Sequence, residues 1–358
     1  MAWEDDDFTQ AVLKDEDKYE GKDLDANVAA VLPEGAEIEW VCTHGATHWS
    51  VSTKIDTIVD GNPTSFFLKE YRDANAKGMV RAEYESTVAL YEMAPQNVPR
   101  PLGYGSFASD PERFFYIQAF CDMNDELPDV DEFVAVLAKI HQKKSPTGKF
   151  GFHVTTYQGN TPNHNEWCDT WEEYFTRSLT SIINLEREIQ GADPEMDALS
   201  SDTLKKVVPR LLRPLETGGN KIEPVLLHAD LWHGNVGIDN ETDEPILYDA
   251  GSFYGHNEYE ANPWRATRYQ FNRTHLRAYH KLVPVSKPAE DHDDRNALYA
   301  LRNDLQVSCC WKQTKITRQL AIESMRRLVA KYPDGYEGYV TANEAERKRD
   351  SGKFADDA

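Results

Sequence analysis

The chain has 358 residues, of which 40% are hydrophobic, so it is long enough for two lobes with a full core. Its formal net charge of −22, from 39 basic and 61 acidic residues, repels phosphate backbones and anionic lipid, so neither nucleic acid nor a membrane surface is expected as a partner. Five cysteines without metal-type spacing, an acidic start and the absence of an apolar run of about 18 residues predict a cytoplasmic protein with reduced thiols.

The first third of the chain changes from an acidic segment to strand-like sequence. Residues 1–36 are acidic with scattered apolar positions, which is typical of a lead-in helix or a partly ordered arm. Five β-rich runs follow, at residues 37–42, 48–59, 64–71, 98–107 and 113–120. Asp-Gly-Asn-Pro at 60–63 predicts a hairpin turn, and a helix is predicted over 77–95, ended by Pro95. We therefore expect a nucleotide-binding lobe over residues 37–122, with three strands, one helix and two strands in that order.

The remainder of the chain is mostly helical. Asp129 or Asp131 can cap a first helix, and a long aromatic-rich helix is predicted from Asp169 to Gln190. A later helix, over residues 315–332, places four apolar residues on one side: Ile316, Leu320, Met325 and Leu328. A polar tail follows over residues 336–358, and its last part, residues 344–358, is expected to be frayed. The predicted fold class is α+β, with a small β-rich N-lobe, a larger helical C-lobe over residues 123–335, and a cleft between them.

A polar motif interrupts the helical half. The segment HADLWHGN at residues 228–235 follows the apolar run 225–227, and a short apolar strand beyond it, 246–248, ends in Asp249. Two acids and an amide therefore gather at one end of a predicted hairpin.

The spacing within this motif is that of a kinase catalytic loop. In kinases an Asp accepts the hydroxyl proton, an Asn a few residues later binds metal, and a second, strand-borne Asp also binds metal. Asp230, Asn235 and Asp249 match that order, and such oxygen ligands, completed by phosphates and water, suffice for magnesium. His228 would then fix the loop rather than act as a base. The alternative is a surface hairpin of ordinary turn formers, but His228 and Asp249 together favour the kinase interpretation.

The N-lobe supplies candidates for the phosphate side. Lys69 ends an alternating strand that would carry it into the cleft, and Glu83 in the following helix can pair with it. Glu85 competes with Glu83 for that role. The loop that covers the phosphates is assigned by position alone to Gly45, Ala46 and Thr47, because the segment has one glycine instead of three.

These residues resemble the fructosamine kinase family, also called ketosamine-3-kinases, in the aminoglycoside-phosphotransferase-like branch of the protein-kinase fold. The discriminating letter is Trp232 in HADLWHGN. Further similarity lies in four segments, at residues 145–162, 165–175, 253–260 and 293–305. The resemblance spans roughly residues 37–332 and is nearest to fungal members.

The resemblance implies transfer of the γ-phosphate of ATP, with Mg²⁺, to the 3-hydroxyl of a fructosamine or ribulosamine on a protein or small-molecule amine. The 3-phosphate then eliminates and frees the amine, which is a deglycation repair. The resemblance assigns the base to Asp230, the magnesium ligands to Asn235 and Asp249, and the phosphate clamp to Lys69 with Glu83. Three further assignments concern support: Gln118, Ala119 and Phe120 beside adenine, Trp232 against the sugar or in the core, and Glu258 with Glu260 as acids that brace the loop.

The chain departs from the family pattern at three places: Ala229 stands where the family has glycine, Ala250-Gly251 where it has a small residue such as proline, and Ala261-Asn262 where it has Leu-Gly. Two alternatives remain open: a kinase of the same fold with another hydroxyl acceptor, such as an amino alcohol or aminoglycoside, and a nucleotide-binding pseudokinase. Trp232 argues against the first and the retained site residues against the second. The net charge, with Glu258 and Glu260 near the site, predicts amine-linked sugars rather than phosphosugars as acceptors. The preferred sugar and the oligomeric state do not follow from the sequence.

Overall fold

The computed structural model describes residues 18–72 and 74–353. Its strands in this range are β1 (Glu20–Gly21), β2 (Glu37–Ala46), β3 (Ser50–Val59), β4 (Asn62–Tyr71), β5 (Pro101–Ser106), β6 (Phe114–Ala119), β7 (Met123–Asn124), β8 (Thr156–Gln158), β9 (Thr161–Asn163), β10 (Val225–Leu227), β11 (Val236–Asp239), β12 (Pro245–Leu247) and β13 (Phe253–Gly255). Its α-helices are α1 (Ala26–Ala29), α2 (Ala76–Tyr91), α3 (Val130–Ile140), α4 (Trp171–Gln190), α5 (Pro194–Asp202), α6 (Val208–Leu212), α7 (Arg273–Leu282), α8 (His292–Cys310), α9 (Ile316–Lys331) and α10 (Gly335–Lys353).

The N-lobe is an antiparallel sheet in which the described strands run in the order β1-β2-β3-β4-β6-β5. Strands β3 and β4 are joined by the two-residue turn Asp60-Gly61, where φ is 50° and 78°. Both values lie in the left-handed region that a tight hairpin turn requires, and Gly61 adopts it without a steric penalty. The predicted order of three strands, one helix and two strands is confirmed.

The two faces of this sheet are covered by different segments. On the outer face, Ile55, Phe66 and Ile117 pack with Val28 and Leu32 in one apolar cluster. Residues 18–36, which contain β1 and α1, therefore return over the sheet, whereas the first 17 residues of the predicted lead-in lie outside the described part of the chain. Helix α2 packs on the other side of the sheet.

The C-lobe is built around a large apolar core. Helices α4, α8 and α9 contribute to it, with Trp171, Tyr299 and Met325 fully or almost fully buried. Asp129 is the cap of α3, since its side chain accepts hydrogen bonds from the backbone N–H groups of Asp131 and Glu132. The small strands of this lobe form two-stranded pairs, β8-β9 and β10-β13, and a sheet in the order β12-β11-β7.

Two sequence predictions about the last helices are wrong. Of the four residues predicted on one side of α9, Met325 and Leu328 are buried, but Ile316 and Leu320 are exposed, because the buried face continues through Thr317 and Ala321. Residues 344–358 were expected to be frayed, but α10 continues to Lys353, and residues 354–358 lie outside the described part of the chain. The proposed lobe boundary at residue 122 lies in the link between β6 and β7. No helix in the described ranges is long and apolar enough to cross a membrane.

Candidate active site

The polar motif forms a loop between two short strands of the C-lobe. It leaves β10 at His228 and ends in a turn of 3₁₀-helix, His233–Asn235, which leads directly into β11. Strand β11 pairs with β12, and the N–H of Tyr248 donates to the carbonyl of Asn235 at 3.1 Å. This pairing brings Asp249, which follows β12, back to the loop that carries Asp230.

Asp230 and Asn235 are in direct contact. The Nδ2 of Asn235 donates to the carbonyl oxygen of Asp230 at 2.8 Å and lies 3.3 Å from its carboxylate. Burial and the nearby charge of Asp249 raise the pKa of Asp230 to about 7. A carboxylate with such a pKa can accept a proton near neutral pH, as a general base must.

Lys69 on β4 joins the two lobes. Its Nζ lies 2.7 Å from Oδ1 of Asp249 and 3.2 Å from Oε1 of Glu83 on α2. Burial opposes the charge of Lys69, but these two carboxylates outweigh it and hold the pKa well above its usual value. Of the two helix acids that could pair with Lys69, Glu83 is the one in contact with it, and Glu85 pairs with His153 instead.

Tyr71 is a member of this cluster that sequence reasoning missed. Its hydroxyl donates to Oε2 of Glu83, so both oxygens of Glu83 are held. Burial nevertheless raises the pKa of Glu83 to about 7, since one lysine faces both Glu83 and Asp249. Tyr71 lies two positions after Lys69, on the same face of β4, and this alternation was the signal available in the sequence.

The catalytic loop is held from behind by Glu260. Its two carboxylate oxygens accept the backbone N–H groups of His228 at 2.7 Å and Ala229 at 2.8 Å. His228 is fully buried, and its Nε2 lies 2.9 Å from the carbonyl oxygen of Tyr248. This contact ties the loop to the strand before Asp249.

Glu258 does not reach the loop, contrary to the sequence prediction. Its carboxylate is buried against Arg295 at 2.8 Å, and it also accepts the N–H of Ser286. Neither Glu258 nor Glu260 lines the cavity described below, so neither can contact an acceptor. Both are 2% exposed or less, which is why their charges act inside the lobe.

Two non-glycine residues at the site have left-handed backbone. Ala229 has φ of 69° and Asp249 has φ of 58°. Such a conformation costs an ordinary residue about 1–2 kcal/mol. The glycine that the family pattern has at position 229 would avoid this cost, so the departure noted in the sequence is a local strain beside Asp230.

A cavity of about 420 Å³ lies between the lobes and receives the side chains of the cluster. Asp230, Asn235, Lys69, Glu83 and Asp249 all line it. Residues that the sequence analysis did not single out complete its walls; among them are His48, Trp49, Tyr157, Gln158, Tyr269 and Trp311. They come from four separate segments of the chain, so no local pattern could have connected them.

Trp232 lies at the cavity and not in the core. It is half-buried, and its ring packs against Tyr269 at 5.5 Å between centroids. A Cβ on Gly234 would stand 2.4 Å from the indole, so glycine is required for Trp232 to fold over the loop.

The residues assigned to the nucleotide are brought together only in part. Gly45 and Ala46 belong to β2, and of the three predicted loop residues Thr47 reaches the cavity. Gln118, Ala119 and Phe120 lie outside its lining. The N–H groups of Ala119 and Phe120 donate to the carbonyl oxygens of Arg100 and Ser65 at 2.8 and 3.0 Å, so neither N–H is available to adenine.

The donor set fits a magnesium ion that is shared with phosphates. Among the described residues no group of three or more His, Cys, Asp and Glu side chains could hold a metal. Magnesium, however, uses one or two carboxylates and completes its shell with phosphate and water oxygens. Asp249 and the amide of Asn235 offer such a partial set, beside Asp230 and Glu83, whose pKa values are raised by burial and by the negative charge of Asp249.

The sheet lobe, the helical lobe and the loop that carries Asp230 between them define a phosphotransferase of the protein-kinase-like fold. The sequence profile of the family described as fructosamine kinase matches residues 47–328, well over half of the chain. The chain therefore belongs to the fructosamine kinase family.

One sequence relative agrees with this membership, and two solved structures share the fold. The chain is 28% identical over 286 residues to a chloroplastic protein-ribulosamine 3-kinase of Arabidopsis thaliana, covering 76% of this chain and 83% of that protein. A Thermobifida fusca structure assigned to the fructosamine-3-kinases superposes with a TM-score of 0.68 at 21% identity, over 86% of this chain and all (100%) of that one. A mutant of aminoglycoside phosphotransferase APH(4)-Ia, solved in a ternary complex with AMP-PNP and hygromycin B, has a TM-score of 0.53 at 16% identity, over 85% and 97% of the two chains.

Proposed function

We propose that this protein is an ATP-dependent kinase of ketosamines, which phosphorylates the 3-hydroxyl of fructosamine or ribulosamine adducts. The observation that carries the proposal is that Asp230 and the Lys69–Asp249 ion pair open on one cavity, with Trp232 in its wall. The family membership and the ribulosamine kinase of Arabidopsis thaliana support the same acceptor class.

The side chains divide between the acceptor and the nucleotide. Asp230 takes the proton of the 3-hydroxyl while that oxygen forms its bond to the γ-phosphorus, and ADP leaves with the electrons of the broken P–O bond. Lys69, fixed by Glu83, holds phosphate oxygens, and Asn235 with Asp249 would hold Mg²⁺. When bound, the ion neutralises the negative charge of the phosphates. The product eliminates its 3-phosphate and frees the amine.

The acceptor is proposed to be neutral or cationic at its amine end. The net charge of −22 with Glu258 and Glu260 predicted this preference, but these two acids are paired and lie away from the cavity. The preference rests instead on Asp230, Glu83 and Asp249, three carboxylates that line the cavity with one lysine between two of them. An anionic acceptor beside ATP would add repulsion that only Lys69 and a bound cation could offset.

The test is ATP turnover with ribulosyl-lysine and fructosyl-lysine beside choline, an aminoglycoside and ribulose 5-phosphate, at fixed magnesium and ATP. We expect the two ketosamines to have the highest kcat/KM, and phosphorus NMR to assign the product to the 3-position. Each tenfold preference corresponds to about 1.4 kcal/mol of transition-state binding. A higher kcat/KM for choline, the aminoglycoside or the phosphosugar would replace the ketosamine assignment by another small-molecule kinase.

We also propose the cytoplasm as the compartment. The support is chemical, because the five cysteines are free and a reducing compartment keeps them so. Cell fractionation with an antibody to the protein tests it, and recovery in an organelle fraction would contradict it.

A further inference from the structure

A short hairpin of the C-lobe, strands β8 and β9, lies against the catalytic loop and is not used by the proposed chemistry. Gln158 at the end of β8 is 3% exposed, and its Nε2 donates to the carbonyl oxygen of Ala229 at 2.6 Å. Ala229 immediately precedes Asp230 and has the strained φ of 69°. The contact thus acts on the peptide that sets the direction of the Asp230 side chain.

The orientation of the Gln158 amide is fixed by a buried arginine. Nη1 of Arg302 on α8 donates to Oε1 of Gln158 at 2.6 Å. Since a guanidinium can only donate, the amide oxygen must face Arg302, and the amide nitrogen must then face Ala229. Arg302 is itself held by the side-chain oxygens of Ser178 at 2.8 Å and Asn163 at 2.6 Å.

The same hairpin also touches the segment after Asp249. The hydroxyl of Thr156 donates to the carbonyl of Gly251 at 3.0 Å. A Cβ on Gly251 would stand 2.4 Å from the carbonyl oxygen of Tyr157, so the close approach requires glycine there. One hairpin therefore contacts the backbone next to Asp230 and the backbone next to Asp249.

We propose that Gln158, oriented by Arg302, is a positioning residue. It holds Ala229 in its left-handed conformation and so places the Asp230 carboxylate against the acceptor hydroxyl. The kinetic part of this inference rests on the proposed function. The alternative role for Gln158 is ordinary packing of the hairpin, which any side chain of similar volume would fulfil.

The experiment separates donation from packing by using two variants of similar size. Gln158→Met keeps the length of the side chain but removes the amide, and Gln158→Glu keeps the acceptor for Arg302 but removes the N–H donor. Arg302→Met removes the group that orients the amide. Gln190→Met is the matched control. Nε2 of Gln190, at the end of α4, donates to the carbonyl of Ser308 at 2.8 Å; Ser308 lies on α8, as Arg302 does, but this contact is away from the loop.

We expect the three site variants to lose about 10–100-fold in kcat for ribulosyl-lysine, with KM for ATP within about threefold, because misplacement of one reacting group affects the chemical step. Hydrogen exchange followed by mass spectrometry should show faster exchange in peptides that cover residues 228–236 and little change elsewhere. The Gln190→Met control should show neither effect.

Wild-type kcat and exchange in both Gln158 variants would overturn the inference. A uniform increase in exchange over the whole C-lobe, or loss of the native fold in both variants, would also overturn it, because Gln158 would then stabilise the lobe and not one loop. If the wild-type protein transfers no phosphate to any ketosamine, the proposed function fails, yet exchange needs no acceptor and still decides on Gln158.

Discussion

Two groups of buried carboxylates flank the catalytic loop. Asp230 and Glu83 face the cavity, and burial raises the pKa of each to about 7. Behind the loop, burial also opposes ionisation of Glu258 and Glu260, yet their pKa values are lowered. The partners make the difference: Arg295 and His256 act on Glu258, while His141 and two backbone N–H groups act on Glu260.

The comparison distinguishes the acids at the site of phosphate transfer from the acids that stabilise the fold. A buried carboxylate with complete partners is satisfied by the protein alone. At the cavity, Glu83 shares the charge of Lys69 with Asp249, and the hydrogen bond that Asp230 receives from Asn235 comes from a neutral amide. A proton from the acceptor or a cation that accompanies ATP would supply the positive charge that these partners do not. Stability is thus given up at the cavity, as is common where a site must change charge during its reaction.

The largest expected effect is on activity, at Asp230. We expect Asp230→Asn to lower kcat by about 10²–10⁴-fold, because an amide cannot accept the hydroxyl proton. Its affinity for ATP should stay within about threefold, since the base acts on the acceptor. Turnover assays with isothermal titration of ATP measure both quantities, and near-wild-type turnover would remove Asp230 from the mechanism.

The next effect is on stability, behind the loop. Arg295→Met leaves Glu258 buried without its cationic partner, and we expect the free energy of unfolding in urea to fall by about 3–5 kcal/mol. Arg326→Met is the control, because the Arg326–Glu195 pair is exposed and should contribute less than about 1 kcal/mol. Equal losses in the two variants would mean that burial of the pair is irrelevant.

A smaller effect should appear in the pH dependence of stability. The pKa of Glu258 is about 2 in the folded protein, below its ordinary value of 4.5, so its ionisation stabilises the fold above pH 4.5 and this contribution is lost as pH falls to about 2. The contribution is on the order of 3 kcal/mol. At neutral pH Arg295 is the charged partner, because burial lowers the pKa of His256 to about 4.

Urea titrations of wild type and Glu258→Gln from pH 7 to pH 2.5 measure this contribution. Wild type should be the more stable protein at pH 7, and the two curves should converge below pH 4.5. A gap that stays constant over that range would contradict the lowered pKa of Glu258.

The smallest effect concerns the loop between the two groups of acids. Ala229→Gly should raise the free energy of unfolding by about 0.5–1 kcal/mol, because relief of the left-handed strain exceeds the entropy that glycine adds to the unfolded chain. Asp243→Gly, in an exposed turn with φ of 62°, is the matched control, because it relieves the same backbone strain without removing a buried side chain. A gain at residue 243 together with a loss at residue 229 would show that the buried methyl group contributes more by packing than it costs in strain.

The sequence predicted the elements and the order of the N-lobe because hairpin turns and alternating strands are local signals. It also predicted that Asp230, Asn235, Asp249, Lys69 and Glu83 converge, since a long-range arrangement can be inferred from a loop of known spacing. It could not reveal Gln158 or Trp311, whose contacts depend on how the hairpin and α8 pack. It misplaced Glu258, because two neighbouring acids in one turn of helix face different partners.

The tail shows the other kind of error. Its polar composition carried no apolar period, so no helix was predicted beyond residue 336. Helix α10 instead begins with Tyr336 and Tyr339, whose rings face the guanidinium groups of Arg213 and Arg210 at 4.7 and 4.5 Å. Such cation–π contacts leave no periodic hydrophobic pattern in the sequence.

The distinction between the cavity acids and the acids behind the loop is tested most directly by whether removing the charge of one acid from each group stabilises or destabilises the protein. Urea unfolding of Asp230→Asn and Glu258→Gln at pH 8 compares one acid from each group, each replaced by its amide. We expect Asp230→Asn to be more stable than wild type, because it removes a buried charge that the protein does not satisfy, and Glu258→Gln to be less stable. Destabilisation of both variants by a similar amount would contradict the account.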